Sequence, residues 1–145
     1  MKARRLFARL QFVLGLLVLA VGVVHFVMMP SLVRWIERLA GPVAAPSVVP
    51  IFYINHVGSG VFLIVLGGIA VCISRMGLSK GKRWARPMTL LFGIGLGLVG
   101  VALWATLPAM FLEAPPFRFA LLSLMAIGLL TVIPVLVFWR HFDEE

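Results

Sequence analysis

His25 and His56 each lie inside a long uncharged stretch, and they carry the widest chemical repertoire found there. An ionisable side chain in such a stretch is costly unless it faces a protein interior or a wet cavity, so it is a functional candidate by default. Several chemistries suit the pair. Both imidazoles can ligate a b-type haem, one from each of two helices, in an electron-transfer or quinone-linked anchor. Gly22 and Gly60, each one turn deeper in its stretch, would then leave room for the macrocycle, and Arg34, Arg38 or Arg118 would pair with its propionates. A copper site is a second reading, with His25, His56 and the thioethers of Met28, Met29 and Met110 as ligands suited to Cu(I). A lipophilic-ligand or quinone pocket at the same place is a third.

The plain alternative uses no cofactor. Each neutral ring then packs in the interior and bonds to a neighbour such as Asn55, Tyr53 or a freed backbone carbonyl, and the chain serves as an accessory or structural subunit of a larger membrane complex. The sequence alone does not place Glu113 relative to the pair. Nucleophile motifs, phosphate loops and paired carboxylates are missing, which argues against an enzyme. None of the five acids, Glu37, Glu113, Asp143, Glu144 and Glu145, falls in the middle of an apolar stretch, which argues against a proton-driven pump. Cys72 is the single cysteine, so no internal disulfide or cysteine metal motif exists, and it reads as a small buried apolar residue.

The elements that must position these side chains follow from composition. Of 145 residues, 62% are hydrophobic and 12% charged, with a mean hydropathy of +1.11. Soluble domains run near 45–50% and about 25%, so a water-soluble fold is excluded. Charges leave four long neutral stretches, 10–33, 39–74, 87–112 and 119–139. A hydrocarbon core of roughly 30 Å takes about 20 residues of helix, and each stretch provides them. The expected fold class is therefore all-α: a single domain, 1–145, forming an integral membrane four-helix bundle with helices near 9–29, 51–74, 87–110 and 117–139.

Lys and Arg set the expected orientation. Ten fall at the N-terminus, between the second and third helices, or at the C-terminus; three, Arg34, Arg38 and Arg118, fall in the other two connections. Positive residues stay inside, so the chain is read as a multi-pass protein of the bacterial inner (plasma) membrane with both termini cytoplasmic. The net charge of +8 then faces anionic inner-leaflet lipid, and nucleic acid is not an expected partner. The basic N-terminus is not read as a signal peptide, because the following apolar run is too long and lacks a cleavage pattern.

Between the first two helices, residues 31–40 place Leu32, Trp35, Ile36 and Leu39 on one helical face and Arg34, Glu37 and Arg38 on the other. This predicts a short amphipathic interfacial helix on the outer membrane surface, followed by an extended linker through Pro42, Pro46 and Pro50. Small residues mark where helices meet in lipid. One seam runs through Gln11, Gly15, Val18, Gly22, His25 and Met29, and its counterpart through Tyr53, His56, Gly60, Leu63, Gly67, Ala70 and Ser74. Gly93, Gly97 and Gly100 form a third close-packing face, inside the bundle or toward another membrane subunit or a second copy of the chain. Trp35, Trp84 and Trp139 read as interfacial anchors.

Overall fold

The computed structural model describes residues 2–107 and 115–137, and among these every regular element is helical. Three helical segments, Arg4–Lys80, Ala85–Thr106 and Arg118–Val137, are long and apolar enough to cross a membrane. The first is interrupted once. Gly41 has φ 69° and ψ 174°, outside helical space, and divides Lys2–Cys72 into two arms, α1 (2–40) and α2 (42–72). After α2 come a π-turn, Ile73–Gly77, and a 3₁₀ turn, Leu78–Lys80. Then follow α3 (Ala85–Thr106) and α4 (Pro115–Val137).

Two sequence expectations need correction here. Residues 31–40 are not a separate surface helix, because Pro30 sits inside α1 without ending it. Residues 42–50 are not an extended linker, because Pro42, Pro46 and Pro50 lie inside α2. Proline fixes φ near −65°, which is a helical value, and its missing N–H loses no bond in a first turn, where N–H groups lack helical partners. Pro42 directly follows the Gly41 break and so opens α2. Pro42, Pro46 and Pro50 recur every fourth residue, which keeps all three on one face.

The conformation of Gly41 belongs to a region of backbone space open almost only to glycine. Nothing lies within 4 Å of where its Cβ would stand, so the constraint is backbone alone. Gly41→Ala is expected to lower stability by about 1–3 kcal/mol. Gly68→Ala, also in open space but helical, should not; thermal midpoints of the two variants in detergent check the contrast.

The chain forms two compact units, Gly15–Ile69 and the combination of Met1–Leu14 with Ala70–Glu145. In the first unit, α1 and α2 approach at glycines: a Cβ on Gly67 would stand 2.5 Å from the Leu19 nitrogen, and one on Gly22 would stand 2.8 Å from the Gly60 oxygen. In the second unit, the Ser74 hydroxyl donates to the Ala8 carbonyl, and an apolar cluster gathers Phe7, Ala8, Ile73, Leu78, Ala85 and Val135. Arg75 lies over the Phe12 ring at 4.4 Å. There too α3 packs along α4, with Gly93 against Thr131, Gly100 against Met125, and Gly128 against the backbone of Gly93 and Gly97.

The connection into α3 depends on glycine. Gly81 takes φ 68°, and the Gly81 and Lys82 nitrogens donate to the carbonyls of Leu78 and Gly77 at 3.2 and 3.0 Å. A Cβ on Gly77 would meet that of Ala85 at 2.5 Å, so a bare backbone there lets α3 start close by.

Candidate functional site

Helical phase puts the seam residues on facing sides of the two arms. Gly15, Val18, Gly22 and Met29 of α1 and Gly60, Leu63 and Gly67 of α2 are buried, with His25 and His56 half-buried beside them. The histidine rings stack with centroids 4.6 Å apart and planes inclined by 23°. Phe52, one turn before His56, stacks against the same imidazole at 5.5 Å and 15°. Three rings therefore pack in succession.

Two hydrogen bonds fix the rings. His25 Nδ1–H donates to the Val21 carbonyl at 2.9 Å, and His56 Nε2–H donates across the seam to the His25 carbonyl at 3.1 Å. A carbonyl only accepts, so each of these nitrogens must carry a proton, and in the neutral rings the lone pairs fall on His25 Nε2 and His56 Nδ1. Backbone carbonyls, one class of expected partner, are thus the acceptors used. Tyr53 and Asn55 are exposed and do not serve; Tyr53 leaves the seam on which the sequence placed it.

The arrangement can be tested against a haem. Two axial imidazoles must address one iron from opposite faces of a porphyrin, with the macrocycle between them. Here the imidazoles lie face to face, and His56 uses Nε2 on a backbone carbonyl. Gly22 and Gly60 do not leave a slot either. A Cβ on Gly22 would stand 2.7 Å from Ile64 Cγ1 and 2.8 Å from the Gly60 oxygen, so the glycines bring the backbones into contact. His25, His56, Gly22 and Gly60 as placed do not fit a haem between the arms.

The other site residues scatter. Met29 is buried, but Met28 is 47% exposed on another side of α1. Met110 and Glu113 lie outside the described residues, as does Trp139. Among the described residues, no group of three or more His, Cys, Asp or Glu side chains is placed to hold a metal ion. Arg34 and Arg38 stand nine and thirteen positions beyond His25, roughly 14–20 Å along the helix. They line a separate cleft near Gly41 instead of the histidine pair. Arg118 is exposed in the other unit. Trp35 is half-buried and Trp84 exposed. Cys72 is exposed, which corrects its reading as a buried residue.

Gly93, Gly97 and Gly100 face α4 of the same chain. Sequence reasoning missed two features. One is the proline-walled cleft, concealed by reading its wall as extended chain. The other is Arg86, counted among the inner-surface cations but only 4% exposed at the start of α3. No protein-family model, curated protein or solved structure matches the chain.

Proposed function

We propose that the chain is a four-span protein of the bacterial inner membrane, with both termini cytoplasmic, and that it works as a cofactor-free accessory subunit. The crossings rest on the Gly41 break, which divides the first long apolar segment into two arms, and on the apolar length of α3 and α4. The orientation rests on ten Lys and Arg residues at one side against three at the other. The observation that carries the functional reading is the closed histidine pair. Both rings commit a nitrogen to backbone carbonyls and their faces to each other, over glycines already in contact.

The spectrum of the purified protein tests this reading. Protein made in cells with ample haem and copper and purified in detergent should show no Soret band in the reduced-minus-oxidised difference and no stoichiometric copper. A Soret band lost in His25→Ala, or copper lost in that variant, would overturn it.

The same reading ranks two substitutions at one position. His56→Phe keeps a ring between His25 and Phe52 and loses only the bond to the His25 carbonyl, so it should cost under about 1 kcal/mol, as interhelical polar contacts in membranes generally do. His56→Ala loses stacking on both sides as well, about 0.5–1.5 kcal/mol per ring pair, and should cost about 2 kcal/mol or more. Thermal midpoints in detergent report the order; equal losses would show that ring packing is not what the pair contributes.

A further inference from the structure

The cleft at the Gly41 break has a composition that the histidine site does not explain. It is an open cleft of about 920 Å³, with Arg34, Glu37 and Arg38 of α1 on one wall and the ridge of Pro42, Pro46 and Pro50 of α2 on the other. Proline has no N–H, so the opposite wall is apolar and poor in donors. Recognition must then come from α1. Arg34 and Arg38 are one turn apart, and Arg38 Nε donates to the Arg34 carbonyl at 3.2 Å, which anchors that guanidinium while leaving its terminal nitrogens available. Glu37 lines the same cleft, and among the described residues it forms no ion pair with either arginine. Two guanidiniums and one separate carboxylate against an apolar wall form a distinct charge pattern.

We propose that this cleft binds a zwitterionic amphiphile of phosphoethanolamine type, with its phosphate on Arg34 and Arg38 and its ammonium on Glu37. Guanidinium forks match phosphate oxygens in geometry as well as charge. A purely anionic headgroup would leave the Glu37 carboxylate facing it unanswered, whereas a primary amine satisfies it. The proline ridge accepts the apolar part of the molecule. Placement agrees: Arg34 is the first charged residue of α1 after Arg9, so it marks where the apolar run ends and headgroups begin. That placement rests on the four-span reading, but the charge pattern does not.

Binding is measured on the whole protein in detergent, where the side of a membrane is immaterial, so failure here leaves the topology standing. The probes are phosphatidylethanolamine and phosphatidylglycerol labelled on an acyl chain, with soluble glycerophosphoethanolamine as competitor. Phosphatidylethanolamine should bind more tightly, and the double variant Arg34→Gln/Arg38→Gln should weaken it about tenfold or more. Glu37→Gln should abolish the preference for ethanolamine over glycerol while leaving phosphatidylglycerol bound at least as well. Competition by the soluble headgroup would assign the site to headgroup chemistry alone, and its failure to compete would assign it to the intact lipid. All three side chains are exposed, so folding should persist, and elution on size exclusion verifies it. Ala45→Trp, which narrows the cleft beside the proline ridge without changing charge, should also weaken binding. Unchanged binding in the double arginine variant, or a wild-type preference for phosphatidylglycerol, would overturn the proposal.

Discussion

Gly67→Ala should be among the most damaging single-methyl additions where α1 meets α2. The new Cβ would stand 2.5 Å from the Leu19 nitrogen, 2.7 Å from the Gly15 oxygen and 2.7 Å from Leu19 Cβ. Two of these are backbone atoms and the third is fixed to the backbone, so no rotamer change relieves the clash. The arms must separate locally, which also loosens the contact of Gly22 with Gly60. Overpacking of this kind costs about 1–3 kcal/mol, occasionally more, against a gain of about 0.5–1 kcal/mol from alanine's better helix propensity. The upper end applies here, and a net loss of about 2–3 kcal/mol is expected. Gly58→Ala on the same helix meets nothing within 4 Å and should be neutral or slightly stabilising. Heating each variant in detergent and measuring the fraction that still elutes as a monodisperse peak separates them. Equal midpoints for the two would mean that the arms do not depend on close approach.

The seam itself was legible because helical phase is a property of spacing alone. Gly15, Gly22 and His25 on α1, and His56, Gly60 and Gly67 on α2, fall on their burial-facing sides as periodicity requires. A further signal was present: Ala8, Gly15 and Gly22 are seven residues apart, as are Gly60, Gly67 and Ser74. A seven-residue repeat of small residues keeps one face on a partner helix over several turns, and it points to the contacts of Gly67 with Gly15 and of Gly22 with Gly60. What spacing does not contain is distance. A glycine beside a histidine can make a slot for a flat ligand or let two backbones touch, and only the separation of the arms decides between them.

The prolines do not act as stop signals, for a related reason. Their effect depends on where the preceding turn's hydrogen bonds must go, and a residue type does not state that. Pro42 starts α2, where no bond is lost, whereas Gly41, an ordinary residue by composition, carries the break through a positive φ. An extended linker through the prolines would free Arg34 and Arg38 for a haem edge, but the helical proline ridge places them on a cleft of their own. Local order therefore changes which ligand chemistry the arginines are best suited to.

In the α3–α4 pair, Gly128→Ala should be the counterpart of Gly67→Ala, and its neighbours show why the Gly93/Gly97 motif is not uniform. A Cβ on Gly128 would stand 2.8 Å from the Gly93 oxygen, 2.8 Å from Gly97 Cα and 2.9 Å from the Gly97 nitrogen, all backbone atoms. With nothing able to rotate away, a loss of about 2–3 kcal/mol is expected. Gly93→Ala meets Thr131 Cγ2 at 2.7 Å and Thr131 Cβ at 2.9 Å, a β-branched side chain stiff about χ1, and should cost nearly as much. Gly100→Ala presses mainly on Met125 Cγ at 2.9 Å, and an unbranched thioether can yield, so the loss should stay under about 1 kcal/mol. Gly97→Ala reaches only Gly128 Cα at 3.9 Å, an ordinary contact, so helix propensity should win and stability should hold or rise by up to about 1 kcal/mol. Thermal midpoints should therefore fall in the order Gly97→Ala, Gly100→Ala, Gly93→Ala, Gly128→Ala. If Gly97→Ala were instead as harmful as Gly128→Ala, a second surface would have to press on Gly97, and the face would then be shared with another chain.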